Sequence, residues 1–235
     1  MAEGRELLLD GSFASFYRTG SPVTHSVWDA IAVPLLALPP ERRRSVLLLG
    51  LGGGSAARVV RALAPQAEIV GVELDPAVVS VARQHLDLDQ LGIEVVIDDA
   101  FDFLGSERRH FDVVLEDVFV GVGDDVYKPE WLPRPGHELA ARRVAPGGLL
   151  VSNTLDEFSA VARTLGELFP VLVRIDVEDY DNRIVVAGPA GLGARMLRAV
   201  VAESPLLRET LPRLSFRTLQ ARPAPPRPGT GGRTG

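Results

Sequence analysis

A run of glycines, with a carboxylate about 20 residues beyond it, carries the clearest chemistry in this sequence. In Ser45-Val-Leu-Leu-Leu-Gly50-Leu-Gly52-Gly-Gly54-Ser55, three glycines stand at alternate positions directly after an apolar run. Glycine lets the backbone take positive φ and come close to a ligand. A second apolar run, Ile69-Val-Gly-Val, ends on Glu73, where a carboxylate can accept two hydrogen bonds from a ribose diol. Together these features describe a nucleoside site. The third glycine of the dinucleotide pattern would fall at Ser55, and no Lys follows the loop, as a phosphate-cradling loop requires. The match therefore favours a nucleoside of the S-adenosyl type. Without Glu73, the glycines would fit a tight connection equally well.

Two further pairs of acids follow apolar runs: Asp98-Asp99, with Ala100 after them, and Glu116-Asp117. A carboxylate at Asp98 or Asp99 can accept the exocyclic amine of an adenine, and Ala100 supplies a backbone donor. The plainer alternatives are that Asp99 only caps a helix starting at Ala100 and that Asp117 only opens a loop. If the runs are parallel strands, all these acids meet at one sheet edge, where doubly wound sheets bind ligands.

The elements that must position them follow from periodicity. Residues 46–49, 69–72, 93–97, 113–115 and 149–152 are short apolar runs suited to buried parallel strands, and 56–63, 76–85, 100–104, 132–144 and 157–168 have helical character. Strands at 171–177 and 183–187 are joined by a link too short for a parallel crossover, so they form an antiparallel hairpin at one edge. The expected fold is α/β: a doubly wound, mostly parallel, Rossmann-like sheet of seven strands with that edge hairpin and a small N-terminal leader. The leader spans 1–40, with a strand ending at the Asp10-Gly11 turn and a helix over 27–38. The nucleoside domain spans 41–190, a helical segment 191–220, and a disordered Pro/Gly/Arg tail 221–235.

Composition bounds the function. A net charge of −6 argues against nucleic acid as a partner and suits a cationic small molecule. The absence of cysteine removes disulfides, thiolate metal sites and thiol nucleophiles, and suits a cytoplasmic protein. His25, His85, His110 and His137 show no ligand spacing, so no metal is expected. No apolar run approaches the roughly 18 residues that span a bilayer, and no signal peptide is visible.

Leu9-Asp10-Gly11, the glycine loop, Val72-Glu-Leu-Asp75, Asp98-Asp-Ala-Phe101, Phe111-Asp-Val-Val-Leu-Glu-Asp117 and Pro146-Gly-Gly-Leu-Leu-Val151 together resemble the spermidine synthase-like (polyamine aminopropyltransferase) family. That family lies within the class I S-adenosylmethionine-dependent methyltransferase superfamily. The resemblance implies that Gly50, Gly52 and Gly54 approach the methionine-like tail of S-adenosylmethionine or its decarboxylated form. It implies that Glu73 binds the ribose and that Asp98, Asp99 and Ala100, with Glu116 nearby, complete the cofactor site. It also implies that Asp117 orients or deprotonates an attacking amine, possible acceptors being polyamines, and that the enzyme is a homodimer. Two departures stand out. Gly53 occupies the position of an acid that would hold the aminopropyl ammonium, and Val120 that of a second catalytic acid, for which Asp124 or Asp125 is the substitute within reach. Three readings follow: aminopropyl transfer to an amine, methyl transfer from S-adenosylmethionine, and a nucleoside-binding homologue without turnover. Tyr127, Trp131 and His137 either line a lid over the ligand or pack it.

Overall fold

The computed structural model describes residues 4–123 and 125–219. Asp124 and the expected tail at 221–235 lie outside the described residues. The chain begins with a hairpin of β1 (Gly4–Leu9) and β2 (Ser12–Arg18), followed by α1 (Val27–Ala32). It continues through β3 (Ser45–Leu49), α2 (Ser55–Leu63), β4 (Glu68–Glu73), α3 (Pro76–His85), β5 (Glu94–Ile97), α4 (Ala100–Ser106) and β6 (Phe111–Glu116). A second small hairpin, β7 (Val120–Val122) and β8 (Asp125–Tyr127), precedes α5 (Gly136–Arg143), β9 (Val144–Thr154) and α6 (Phe158–Leu168). The chain then runs through β10 (Val171–Val177), β11 (Arg183–Gly188), α7 (Ala194–Glu203) and β12 (Leu214–Leu219).

The large sheet has the order β12-β10-β11-β9-β6-β3-β4-β5. Strands β3, β4, β5, β6 and β9 pair in parallel, and β10, β11 and β12 add antiparallel pairings. Both faces are covered, which is why the central strands are apolar throughout rather than alternating. In β3, Val46 and Leu48 join a core with α1, α2, α3 and α7, and Leu47 and Leu49 join the opposite core with α4, α5 and α6. Each such leucine, fully buried, stabilises the fold by roughly 1.5–3 kcal/mol.

The chain winds outward from β3 through β4 to β5, then returns to place β6 on the other side of β3. The reversal opens a crevice beyond the carboxyl ends of β3 and β6, which is where Gly50 and Asp117 stand. The α/β architecture and antiparallel edge are as expected, but the sheet has eight strands rather than seven. The extra strand is β12, within the segment 191–220 expected to be helical. Leu214 is buried and Ser215 exposed, and every residue from Leu172 to Val177 pairs with one from Leu219 to Leu214, so β12 satisfies an edge of β10 that would otherwise lie open.

Two helices are shorter than their periodicity predicts, and proline is the reason in each. The segment 27–38 is α-helical only through Ala32, then narrows to a 3-10 helix at Val33–Ala37 around Pro34. The helix expected over 132–144 starts only at Gly136, after Pro133 and Pro135. The Asp10-Gly11 turn is as expected, with φ of 48° and 88°, the left-handed pair that a tight hairpin requires.

Candidate functional site

The glycine loop is built to fit between strand ends. At Gly50, φ is +81° and a Cβ would stand 2.5 Å from the carbonyl oxygen of Asp117, so only glycine lets β3 end against β6. The Asp117 amide seals this junction by donating to Leu49 O at 2.9 Å. Gly50 and Leu51 both donate to Val72 O, at 3.1 and 3.0 Å, and Gly54 donates to Leu51 O at 3.0 Å. Gly52 donates to Glu73 Oε2 at 2.7 Å and Gly53 to Ser15 Oγ at 2.6 Å. The loop amides are therefore spent on the protein. The first hairpin lies over the loop, held also by Ser55 Oγ, which donates to Phe16 O and accepts from Phe16 N, each at 2.8 Å.

Beyond the loop, α2 starts without a side-chain cap and without an acidic residue in its first turn. Its neighbours differ. Asp75 caps α3 through Ala77 N and Asp99 caps α4 through Phe101 N, each at 2.7 Å. The amino end of α2 thus keeps its partial positive charge for another group.

Glu73 ends β4 with a fixed carboxylate: Oε2 accepts from Gly52, and Oε1 accepts from Asp75 N at 3.1 Å. Each oxygen retains a lone pair. Next to it, Asp98 N donates to Glu73 O at 3.1 Å, so the two acids sit on adjacent strand ends. Asp98 Oδ1 accepts from Asp99 N at 2.9 Å, and Ala100 is buried in the first turn of α4. Leu74 and Ile97 flank this corner with 63% and 51% of their surfaces exposed, unusual for large apolar groups at strand ends. A flat apolar ring would cover them.

The adjacent acids Glu116 and Asp117 have opposite surroundings. Glu116 is buried and points into the protein, so it is not available to a nucleoside, contrary to expectation. Its Oε1 accepts from Lys128 Nζ at 2.5 Å and Val118 N at 2.8 Å, and its Oε2 from Ser152 Oγ at 2.6 Å and His137 Nε2 at 3.2 Å. Burial works against the charge, but the Lys128 ammonium and His137 hold this carboxyl well below the ordinary range, at about 2. Lys128 Nζ also donates to Val118 O at 2.9 Å and lies 3.9 Å from the centre of the Phe119 ring. This network fastens the segment after β6 to the sheet. The tip of the second hairpin meets the first, Gly123 N donating to Asp10 O at 2.9 Å.

Asp117 stands just beyond the carboxyl end of β6. Burial pushes its carboxyl up to about 6, opposed by a hydrogen bond from Asn153 Nδ2 at 2.7 Å, by the Lys128 charge and, least, by the Trp28 indole; Glu116 adds to the rise. A carboxylate with a proton affinity near neutrality suits proton transfer.

Glu73, Asp98, Asp99, Ala100, Asp117 and the glycines therefore share one end of the sheet, Asp99 acting as a helix cap. Asp124 lies outside the described residues. Sequence reasoning missed Ser15, Trp28, Lys128, Asn153 and Asn182. Only Asn153 carried a signal, a polar residue ending the run 149–152 as the acids end theirs. Tyr127 is exposed, whereas His137 is fully buried and Trp131 packs on Phe101 at 5.7 Å between ring centres. Among the described residues no group of three or more His, Asp or Glu is placed to hold a metal ion, and no helix is long and apolar enough to cross a membrane.

Lys128→Met leaves Glu116 buried without its cation and should cost about 3–5 kcal/mol in urea denaturation, largely recovered by adding Glu116→Gln. A loss below about 1 kcal/mol in the single variant would contradict the buried pair. Asp117, raised above the ordinary 3.8, contributes stability that is present below that value and lost as pH rises through about 6. Asp117→Asn should therefore stabilise the fold by about 1 kcal/mol near pH 7.5, a gain that shrinks towards pH 4 in thermal melts.

Residues 29–158, more than half of the chain, match the family model described as the spermine/spermidine synthase domain. The "eEF1A lysine and N-terminal methyltransferase homolog" of Drosophila melanogaster is 31% identical over 176 residues, covering 68% of this chain and 26% of that protein. A polyamine aminopropyltransferase of Mycobacterium tuberculosis is 37% identical over 158 residues, 62% of this chain and 28% of that protein. The chain thus spans about a quarter of the length of each of these relatives. Among solved structures, a probable spermidine synthase from Corynebacterium glutamicum shares the fold with a TM-score of 0.72 at 20% identity, over 92% of this chain and 83% of that one. Human methyltransferase-like protein 13, solved in complex with SAH, gives a TM-score of 0.62 at 27% identity, over 77% of this chain and 90% of that one. On this match over more than half of its length, the chain belongs to the spermine/spermidine synthase domain family.

Proposed function

We propose that this chain transfers the methyl group of S-adenosylmethionine to an amine, with Asp117 receiving the acceptor's proton. The observation that carries this reading is the closure of position 53. An aminopropyl donor has a tail whose only charge besides the sulfonium is an ammonium, and the resembled enzymes meet it with an acid at this position. Here a Cβ at Gly53 would stand 2.5 Å from Leu86 Cδ1 and 2.8 Å from Ser15 Cβ, so the space for that acid is taken. An intact methionine tail also carries a carboxylate, which an acid there would repel and which the uncapped start of α2 favours. The methyltransferase relatives support the same choice, and the family model with its aminopropyltransferase members supports aminopropyl transfer as the second reading.

The residues fit the nucleoside. Glu73 has lone pairs for a ribose diol, Leu74 and Ile97 offer apolar faces for an adenine, and Asp98 retains an oxygen for its exocyclic amine. When bound, the sulfonium supplies an electrophilic methyl carbon, whose bond to sulfur breaks as the bond to nitrogen forms, the electron pair passing to sulfur. Asp117 holds the acceptor amine at the crevice and takes the proton that nitrogen loses, which a carboxyl titrating near 6 can do and later return to solvent. Asn153 keeps one Asp117 oxygen in place during the step.

Isothermal titration with S-adenosylmethionine, its decarboxylated form and methylthioadenosine tests the choice. The intact cofactor should bind at least about tenfold more tightly than the decarboxylated one, equivalent to ~1.4 kcal/mol. Tighter binding of the decarboxylated form would overturn the methyl reading. Gly53→Asp supplies a second check. It should lose about 2 kcal/mol of stability through overpacking against Ser15 and Leu86, without gaining affinity for the decarboxylated cofactor.

A further inference from the structure

We infer that Asn153 and Asn182 form a positioning relay that aims the Asp117 carboxylate and sets its proton affinity. The inference rests on the reading of Asp117 as the proton acceptor, and its geometry comes from three separate parts of the chain. Asn182 Nδ2 donates to Asn153 Oδ1 at 3.0 Å, and Asn153 Nδ2 donates to Asp117 Oδ1 at 2.7 Å.

The direction of these bonds matters. A carboxamide has one acceptor end and one donor end. With the oxygen of Asn153 engaged by Asn182, its nitrogen must face Asp117. The chain of donors therefore ends on a carboxylate oxygen, and it favours the ionised form. Reversed, Asn153 would present an oxygen to the carboxylate and require Asp117 to be protonated.

Each member is held by its own element. Asn153 lies near the end of β9, is only 3% exposed and pairs through its backbone with Ile184 of β11. Asn182 directly precedes β11, and the next residue is pinned to β9, Thr154 Oγ1 donating to Arg183 O at 2.6 Å. The antiparallel pairing of β9 with β11 thus brings Asn182 to Asn153, and the parallel pairing of β6 with β9 brings Asn153 to Asp117. The relay crosses three neighbouring strands.

The other groups bearing on Asp117 are Glu116 from β6, which opposes ionisation, Lys128 from the segment after β8, which favours it, and the Trp28 indole from α1. Lys128 is already paired with Glu116, so its charge on Asp117 is partly cancelled. Asn153 is left as the group that both fixes one Asp117 oxygen and holds its ionised form in range.

The test follows the 13C-carboxyl resonance of Asp117 in a pH titration, assigned by its loss in Asp117→Asn. In Asn153→Leu the midpoint should rise from about 6 by about one pH unit, because a buried carboxylate loses a donor. In Asn182→Ala, a milder change at a partly exposed position, the midpoint should rise by less. If turnover is measured, the acid limb of kcat/KM should move by the same amount while the Kd for S-adenosylmethionine stays within about twofold. An unchanged midpoint in Asn182→Ala and in folded Asn153→Leu would overturn the relay. A wild-type chain that binds no S-adenosylmethionine would instead overturn the proposed function, and the NMR midpoints would still decide the relay.

Discussion

The site depends on an absence of volume. Where β3 ends against β6, a single β-carbon at position 50 would strike the Asp117 carbonyl, and one at position 53 would strike Ser15 and Leu86. The central strands can pair in register up to their last residues only because the chain between β3 and α2 has no side chains to place. Leu51 is the exception, and it turns inward to become part of the core. That closeness sets the Asp117 backbone directly against the first glycine of the loop. It also forces the loop amides to find partners within the protein, which they do on Val72, Glu73 and Ser15.

Two consecutive carboxylates at one strand end are given different roles by their neighbours alone. Alternation along a strand sends Glu116 and Asp117 in different directions. Glu116 meets an ammonium, an imidazole, a hydroxyl and an amide, and is a buried structural anion. Asp117 meets the Asn153 carboxamide and the Trp28 indole, and burial raises its carboxyl to about 6. Environments that separate the proton affinities of a pair in this way are how a single fold keeps one acid inert and another ready. The cation that silences Glu116 also reaches Asp117, so anchoring the segment after β6 and tuning the carboxylate in the crevice depend on the same lysine.

Local pattern made much of this fold legible. Short apolar runs ending in Gly50, Glu73, Asp98 and Glu116 marked strands, and their polar ends marked one edge of the sheet, because a strand covered on both faces has no other place for a charge. What pattern could not show was distance across the sequence. Glu116 looked like a ligand because its partner, Lys128, is brought to it by a loop without periodicity. Ser15 and Asn182 gave no signal, since a serine in a hairpin and an asparagine before a strand are ordinary where they stand. The strand β12 was hidden in a segment with helical character, because its reason for existing is the open edge of β10, which lies elsewhere in the chain.

The polar contacts around the crevice draw on residues from Ser15 to Asn182, with Trp28, Glu73, Asp117 and Asn153 between them. No stretch of the chain shorter than this contains the whole arrangement. A partly folded chain holding the central strands alone would have the glycines and the acids, yet neither the hydroxyl that seats Gly53 nor the amides that aim Asp117. The polar arrangement around Asp117 is therefore complete only where both flanks have closed on the middle of the sheet.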